Sequence, residues 1–435
     1  MIRLHHFAPL VAVGAVLALT SGAQAQLDDG MPTNPFPGTI INLPADGNPA
    51  GDVGDATGAM LTQLNMEAGF NFATGRTEDM GPRTYSFTEV NVFVENGDRT
   101  TSANSNAVYN NCEINLMDGF LGNNAIIDSN STLNVTGGET RTNVQIAGVA
   151  NVTAGGLGNP VINGTVNISG TGQIFGSAAN LSNGGVVNAS AGIIFGPFNV
   201  GTGGTLNASG TVDLRAIMVD GVANLSGGTI NSNITVASGG VVNFLDGVSP
   251  GSGTTTINDG GVINLTGGRI GSNTFVESGG VLNASGGLFG TRYSTAPGLN
   301  VLSGGTVNFT GTEFMFDGAP MELTPGMPFT VEERDGMLSG TLLTGEQFSF
   351  DLSGTNQGNF FNFFAADSTV TVLLEPDVLL GDVNLDGMVN FLDISPFILR
   401  LSNQELQAEA DLNQDGAVSF LDISPFILVL TAEAS

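Results

Sequence analysis

The central part of the chain repeats a short pattern in which apolar and polar residues alternate before a pair of glycines. One copy reads Ser-Asn-Ile-Thr-Val-Ala-Ser-Gly-Gly-Val-Val-Asn-Phe over residues 232–244, and residues 272–284 read Ser-Asn-Thr-Phe-Val-Glu-Ser-Gly-Gly-Val-Leu-Asn-Ala. A period of two is typical of β-strands, and Gly-Gly is typical of turns. The pattern therefore predicts short strands joined by tight turns, with no helix between them.

Each repeat contains an asparagine between two apolar residues. Fourteen such asparagines, spaced by 16 to 26 positions, index the repeats: Asn42, Asn65, Asn91, Asn115, Asn134, Asn151, Asn167, Asn188, Asn207, Asn224, Asn243, Asn264, Asn283 and Asn308. A unit of this length cannot bury its apolar side chains alone, whereas units stacked as successive coils can. We therefore predict an all-β fold over residues 38–310. This fold is a parallel β-helix (β-solenoid), with right-handed coils favoured.

The asparagine column has two interpretations. The amides can hydrogen-bond to one another up the stack at one corner of the coils, as they do in cross-β ladders. Many of them also lie in Asn-x-Ser/Thr, as in Asn188-Ala189-Ser190, which is a glycosylation acceptor. We favour the ladder, because glycans on successive coils would crowd one another.

The repeats over about 125–310 resemble those of autotransporter adhesin passenger domains. The resemblance is carried by the pattern at residues 232–243 and its echo at 272–283. It implies a β-helical fold and an adhesin-like role.

The first residues predict export. Arg3, an apolar run over residues 7–19 and the small-residue site Ala23-Gln24-Ala25 form a signal peptide over 1–25, which a linker at 26–37 follows. No later apolar run approaches the ~18 residues that a membrane span needs. We expect a secreted or cell-surface protein without a membrane span.

Composition narrows the possible chemistry. The ten basic residues are all Arg against forty acids, for a net charge of −30, and both His lie in the predicted signal peptide. A mature chain without His or Lys excludes a Ser-His-Asp triad, a Schiff-base Lys and a His-built zinc site. The acidic excess argues against nucleic acid and favours cations. Cys112, the single Cys, has no His or Lys to activate it, so we interpret it as a small buried residue.

An enzyme remains the alternative function for the solenoid, because parallel β-helices also host polysaccharide lyases and hydrolases. Such chemistry needs carboxylates grouped on adjacent coils. Asp220, Asp259 and Glu277 fall at similar offsets before their asparagines, but the two Asp precede Gly as in ordinary turns. We therefore expect no enzymatic activity.

The repeat stops near residue 311, and residues 311–375 predict a small antiparallel β cap. Alternation over 347–352 and 369–372 indicates strands. A cap would cover the open end of the last coil. We interpret Phe360, Phe361, Phe363 and Phe364 as the core of this cap, with an adhesive patch as the alternative.

The C-terminal part contains a twelve-residue motif twice, 29 residues apart. Asp-Val-Asn-Leu-Asp-Gly-Met-Val-Asn-Phe-Leu-Asp at 382–393 corresponds to Asp-Leu-Asn-Gln-Asp-Gly-Ala-Val-Ser-Phe-Leu-Asp at 411–422. Oxygen ligands at positions 1, 3, 5, 9 and 12, a carbonyl at 7 and Gly at 6 are the EF-hand calcium arrangement. Ile-Ser-Pro-Phe-Ile-Leu follows each loop, and its early Pro predicts the first turn of a helix.

A duplicated calcium loop with Asp at position 12, each copy followed by one helix, resembles the type I dockerin module over about 377–435. The resemblance implies a small α-helical, EF-hand-like module, which we delimit as 376–435. It also implies two Ca²⁺ ions and docking to a cohesin-type protein or another cell-surface component. The implied ligands are Asp382, Asn384, Asp386, Met388, Asn390, Asp393, Asp411, Asn413, Asp415, Ala417, Ser419 and Asp422. Met388 and Ala417 would bind through their backbone carbonyls.

Two departures from the dockerin pattern bear on the partner. Leu385 and Gln414 replace the common Gly, and the pairs at 391–392 and 420–421 are Phe-Leu where dockerins usually carry small polar residues. A calcium-stiffened cap without a partner is therefore the alternative for the tail. Together the features predict a secreted, non-catalytic structural or adhesin-like solenoid attached through the tail. Self-association and polysaccharide binding are further candidate roles, and a polysaccharide lyase or hydrolase carried by the same tail is the alternative.

Overall fold

The computed structural model describes residues 107–432 apart from short gaps, and the backbones of five strands before residue 107. The gaps are residues 110–112, 118–119, 122, 177–178, 248, 251–252, 272, 291–297, 354–361, 376–378, 387 and 404. The predicted signal peptide, the linker, Cys112, Phe360 and Phe361 lie outside the described residues.

Short strands stack into parallel sheets that form the predicted β-solenoid. The asparagine sheet contains Ile40–Leu43, Gln63–Met66, Glu89–Val92, Glu113–Leu116, Thr132–Val135, Val149–Val152, Thr165–Ile168, Val186–Ala189, Thr205–Ala208, Val222–Leu225, Val241–Phe244, Val262–Leu265, Val281–Ala284 and Thr306–Phe316. The second sheet contains Val53–Gly54, Arg83–Ser86, Ala107–Tyr109, Ile126–Ile127, Gln145–Ile146, Val161–Ile162, Ala179–Leu181, Phe198–Val200, Ile217–Val219, Ile234–Val236, Thr255–Ile257, Thr274–Val276, Leu299–Val301 and Phe363–Phe364. The third contains Phe120–Leu121, Glu139–Thr140, Gly156–Gly158, Gln173–Phe175, Ile193–Ile194, Asp213–Leu214, Thr229–Ile230 and Ser249–Pro250, and a separate pair is Arg269–Ile270 with Leu288–Phe289.

Strand alternation places the apolar residues of each repeat inside the coil. In Thr132–Val135, Leu133 and Val135 are buried, whereas Asn134 lies on the outer face. Successive side chains of a strand point to opposite faces, so the apolar-Asn-apolar core of the repeat delivers two residues to the interior. The same burial alternation recurs along the asparagine sheet as far as Thr306–Phe316.

The asparagines form the predicted ladder of amides. Nδ2 of Asn188 donates to Oδ1 of Asn167 at 3.0 Å, and Nδ2 of Asn207 donates to Oδ1 of Asn188 at 2.9 Å. The same bond joins each pair of neighbouring asparagines from Asn115 to Asn308. The expected position at a corner was wrong, because each Asn is the third residue of its strand and lies on the outer face of a sheet.

The Asn-x-Ser/Thr spacing has a structural cause. The hydroxyl of Ser209 donates to the carbonyl of Ala189 at 3.4 Å, and that of Ser226 donates to the carbonyl of Ala208 at 3.3 Å. Each acceptor belongs to the preceding coil. An amide ladder and a hydroxyl contact two residues later therefore account for the spacing without a glycan.

The end of the solenoid is covered by antiparallel strands, as predicted. Thr306–Phe316 pairs with Met337–Leu342, which pairs with Gln347–Asp351. The remaining cap strands are Ala319–Pro320, Phe329–Thr330 and Thr369–Leu374. The rings of Phe309 and Phe348 stack at 4.5 Å between centroids, and Phe364 contacts Phe350 edge-on at 5.8 Å. Phe364 therefore belongs to the core of the cap.

The chain forms two compact units. One comprises Met1–Met321 with Phe329–Val372, and the other comprises Glu322–Pro328 with Leu373–Ser435. The second unit contains helix α1 (Ile394–Asn403) and helix α2 (Ile423–Ala432), preceded by the 3₁₀ turns Phe391–Asp393 and Phe420–Asp422. None of the described helices is both long and apolar enough to cross a membrane.

Candidate metal loops and docking surface

The two calcium-type loops have the same hydrogen-bond network. In the first loop the backbone N–H of Asp386 donates to Oδ1 of Asp382 at 3.0 Å, and the N–H of Met388 donates to Oδ1 of Asp386 at 3.0 Å. In the second loop the backbone N–H of Asp415 donates to Oδ1 of Asp411 at 3.1 Å, and the backbone N–H of Ala417 donates to Oδ1 of Asp415 at 3.0 Å. The carboxylates of positions 1 and 5 therefore accept from backbone N–H groups four and two residues further along each loop.

The position 12 carboxylates join the ends of their loops. Oδ1 of Asp393 accepts from the N–H of Asn384 at 2.9 Å, and its Oδ2 accepts from the N–H of Asn390 at 2.9 Å. In the second loop Oδ1 of Asp422 accepts from the N–H of Asn413 at 3.0 Å, and its Oδ2 accepts from the N–H of Ser419 at 2.8 Å. These bonds form capping boxes that start both 3₁₀ turns. The same side chains therefore hold the loop and begin the helix.

The backbone explains one departure from the dockerin pattern. Leu385 and Gln414 have φ values of 61° and 57°, in the left-handed region that glycine adopts most easily. A Gly would adopt this backbone conformation without strain, whereas Leu385 and Gln414 each adopt it at an energetic cost.

The loop residues fit a divalent cation. Asp393 and Asp422 are fully buried, and Asp382 and Asp411 are nearly so. Arg400 is the only basic residue in 376–435, and it pairs with Glu405. Buried carboxylates require a compensating partner, and calcium prefers carboxylate, amide and carbonyl oxygens such as these loops carry. Among the described residues no group of three His, Cys, Asp or Glu is arranged to hold a metal, so the acids alone do not form a site.

The two loop-helix copies share one core. Phe397 of α1 and Phe426 of α2 are buried and stack face to face. Val389 and Val418, at position 8 of their loops, are buried with them. The core therefore fixes the two loops relative to each other.

Each copy also exposes large apolar side chains. Phe391 is 72% exposed and Phe420 is 81% exposed, and each is followed by an exposed Leu. The equivalent pairs on the helices are exposed as well. We call these residues the docking surface: Phe391, Leu392, Ile398, Leu399, Phe420, Leu421, Ile427 and Leu428. The Phe-Leu pairs were evident in the sequence, but the exposure of the helix residues was not, because an apolar run of six residues does not reveal which side faces the core.

The solenoid acids that the sequence suggested do not form a pair. Ile257 lies opposite Val276 in the second sheet, so Glu277 lies opposite Asn258 and Asp259 lies opposite Ser278. Asp220 lies in a turn, where its N–H donates to the carbonyl of Val200. Asp259 and Glu277 therefore occupy different positions of adjacent coils.

Comparison with known families identifies the tail. Residues 380–427 match the dockerin type I domain, so the chain carries such a domain, as the loops predicted. Domains of this type bind calcium and dock to cohesin partners, generally in extracellular or cell-surface assemblies. No curated protein and no solved structure matches the chain. The comparisons therefore do not show the resemblance of the repeats to autotransporter passenger domains.

Proposed function

We propose that this chain is a secreted, non-catalytic β-solenoid that its dockerin domain attaches to a cohesin partner. The observation that carries the proposal is the docking surface, in which two equivalent sets of large apolar side chains are exposed on one small unit. Contiguous exposed apolar residues on a soluble protein mark interaction sites. A calcium-stiffened cap without a partner would have no need of them.

Calcium would control this surface through the loops. Phe391 and Leu392 belong to a 3₁₀ turn whose first N–H groups are capped by Asn390 and Asp393. Both capping residues are also predicted calcium ligands. An ion bound by Asp382, Asn384, Asp386, Met388, Asn390 and Asp393, and a second bound by the equivalent residues, would therefore hold the Phe-Leu pairs in one orientation.

The chemistry of the partner follows from the surface. Phe391, Leu392, Phe420 and Leu421 stand where small polar residues are usual, so the cohesin face that receives them should be apolar. Aromatic side chains buried at an interface dominate its binding energy. The net charge of −30 would also favour a partner with a basic rim.

The non-catalytic role of the solenoid is supported by its residue inventory. The outer face of the asparagine sheet carries uncharged side chains from Thr132 to Asn308, and Asp259 and Glu277 are offset on adjacent coils. We infer a spacer or adhesin-like role for the solenoid, with export directed by the predicted signal peptide.

The test is binding of the calcium-loaded full chain to a panel of purified cohesin domains, followed by a chelator. We expect calcium-dependent binding that the double variant Phe391→Asp/Phe420→Asp loses. Met218→Asp, which adds one such charge to a residue 44% exposed on the solenoid, should bind as the parent does. Binding that survives the double variant would overturn this docking surface.

A second assay tests the non-catalytic role. The parent chain should leave a panel of neutral and acidic polysaccharides intact. Cleavage that is lost in Asp259→Asn or Glu277→Gln would instead establish the alternative, a polysaccharide lyase or hydrolase carried by the same tail.

A further inference from the structure

The outer face of the asparagine sheet is uncharged over ten successive strands. Every outward residue from Thr132 to Asn308 on these strands, all of which the structure describes, is Asn, Thr or Val. One column is the asparagine ladder. The residues of the other column, two positions earlier in each strand, are Thr132, Val149, Thr165, Val186, Thr205, Val222, Val241, Val262, Val281 and Thr306.

This face is regular in both directions. The strands pair without a shift of register, so Thr205 lies opposite Val186 and Val222. Coils repeat at ~4.8 Å, and outward residues of one strand are about 7 Å apart. The ladder uses one N–H of each amide from Asn151 to Asn308, so these amides retain one N–H and acceptor capacity for a group beyond the face.

Charge selects the partner for this face. The chain carries a net charge of −30, so two copies repel each other overall. Repulsion is lowest where two uncharged faces meet. Matched β faces with asparagine ladders and β-branched side chains also pack into dry, interdigitated interfaces.

The area is sufficient for a specific contact. Ten strands of four residues cover roughly 550 Å² on each copy, or about 1,100 Å² for a pair. Specific interfaces begin near 1,000 Å² in total. A self-complementary patch of this kind pairs about a two-fold axis, which places the centre of one face against the centre of the other.

We propose that two copies of this chain pair through the outer face of the asparagine sheet, with Thr205 and Val222 at the centre of the contact. A pair of copies carries two dockerin domains. The pairing itself does not depend on the docking proposal; if that proposal holds, the dimer is a bivalent cargo.

The test is sedimentation velocity of the calcium-loaded full chain from 1 to 100 µM. We expect a concentration-dependent dimer that the double variant Thr205→Asp/Val222→Asp abolishes, with at least a tenfold rise in Kd. Met218→Asp, on the second sheet, should dimerise as the parent does. Circular dichroism of the β signal checks that each variant is folded.

Charge exchange gives a stricter readout. The variant Thr205→Lys/Val222→Lys should be monomeric alone and should form a heterodimer when mixed with the aspartate variant. Rescue would not follow if the aspartates merely damaged the fold. A monomeric parent, a dimer unaffected by the aspartates, or a dimer lost only in Phe391→Asp/Phe420→Asp would each overturn the proposal. A monomeric parent that pellets with insoluble cellulose or chitin would identify a neutral polysaccharide as the occupant instead.

Discussion

Phe397 and Phe426, which are equivalent residues of the two loop-helix copies, stack with their ring centroids 4.1 Å apart and their planes 8° from parallel. Each ring lies on the first half of its helix, so the contact joins α1 to α2 across an internal approximate two-fold relation. Neither copy could bury its Phe alone. The dockerin domain therefore folds as one unit with two loops.

Truncating this stack should destabilise the whole unit. Phe397→Ala removes a buried aromatic side chain, a change that typically costs about 3–5 kcal/mol. We expect the helical circular dichroism of the calcium-loaded chain to be lost at a lower urea concentration, while the β signal of the solenoid remains. Phe391→Ala, which removes an exposed ring of the same type, should leave the urea midpoint nearly unchanged. Equal effects of the two variants would contradict the shared core.

Calcium stoichiometry should follow the loops one by one. The parent chain should bind two ions by isothermal titration calorimetry. Asp386→Ala and Asp415→Ala each remove the position 5 carboxylate from one loop, so each should bind one ion and the double variant none. Glu405→Ala removes an exposed acid outside the loops and should retain both ions. A parent chain that binds no calcium would refute the ligand assignment.

Position 12 should affect both calcium and the helix. Asp393→Asn keeps the size of the side chain but removes its charge and one of its two acceptor oxygens, whereas Asp393→Ala removes both acceptors for the N–H groups of Asn384 and Asn390. We expect both variants to lose one ion. Asp393→Ala should lose ~1 kcal/mol more helix stability than Asp393→Asn in the chelated protein, the usual value of a cap, because only the Asn variant retains an acceptor. Urea unfolding in chelator distinguishes the two effects, and identical midpoints would contradict the capping role.

The sequence determined the coils and the loops because both depend on local spacing. The asparagine positions predicted the pairing of strands correctly, since register along the sheet follows from one repeated residue. The predicted position of the ladder was wrong, because an Asn close to a Gly-Gly turn suggests a corner, whereas Asn207 lies within the four-residue strand Thr205–Ala208. The exposure of Ile398 and Leu399 depends on which side of α1 packs against α2. The sequence could not predict that side, because apolar residues occur on both sides of the helix.

Adjacent glycines in one turn should respond differently to substitution. A Cβ on Gly240 would lie 2.0 Å from the carbonyl oxygen of Val219 on the preceding coil, whereas a Cβ on Gly239 would meet nothing within 4 Å. Gly239 has a φ of 81°, so Gly239→Ala should cost only the ~1–2 kcal/mol of a left-handed residue. Gly240→Ala should cost more, because the backbone of two coils must separate. Thermal unfolding of the β signal measures both, and a reversed order would contradict the stacking.

The asparagine ladder should contribute measurably to the stability of the solenoid. Asn207→Ala removes the bond to Asn188 and the bond from Asn224, and at ~0.5–1.5 kcal/mol for each the expected loss is about 1–3 kcal/mol. Thr205→Ala, on the same strand and face but outside the ladder, should cost less.

Ser209→Ala separates the ladder from glycosylation, because it destroys the Asn-x-Ser acceptor at Asn207 while retaining both amide bonds. If the column exists for packing, Ser209→Ala should keep most of the stability that Asn207→Ala loses, and the purified parent should have its peptide mass. A mass excess in the parent that Ser209→Ala reduces would show that a glycan occupies Asn207. Such a glycan would also block the face through which we expect two copies to pair, so the same mass measurement bears on both proposals.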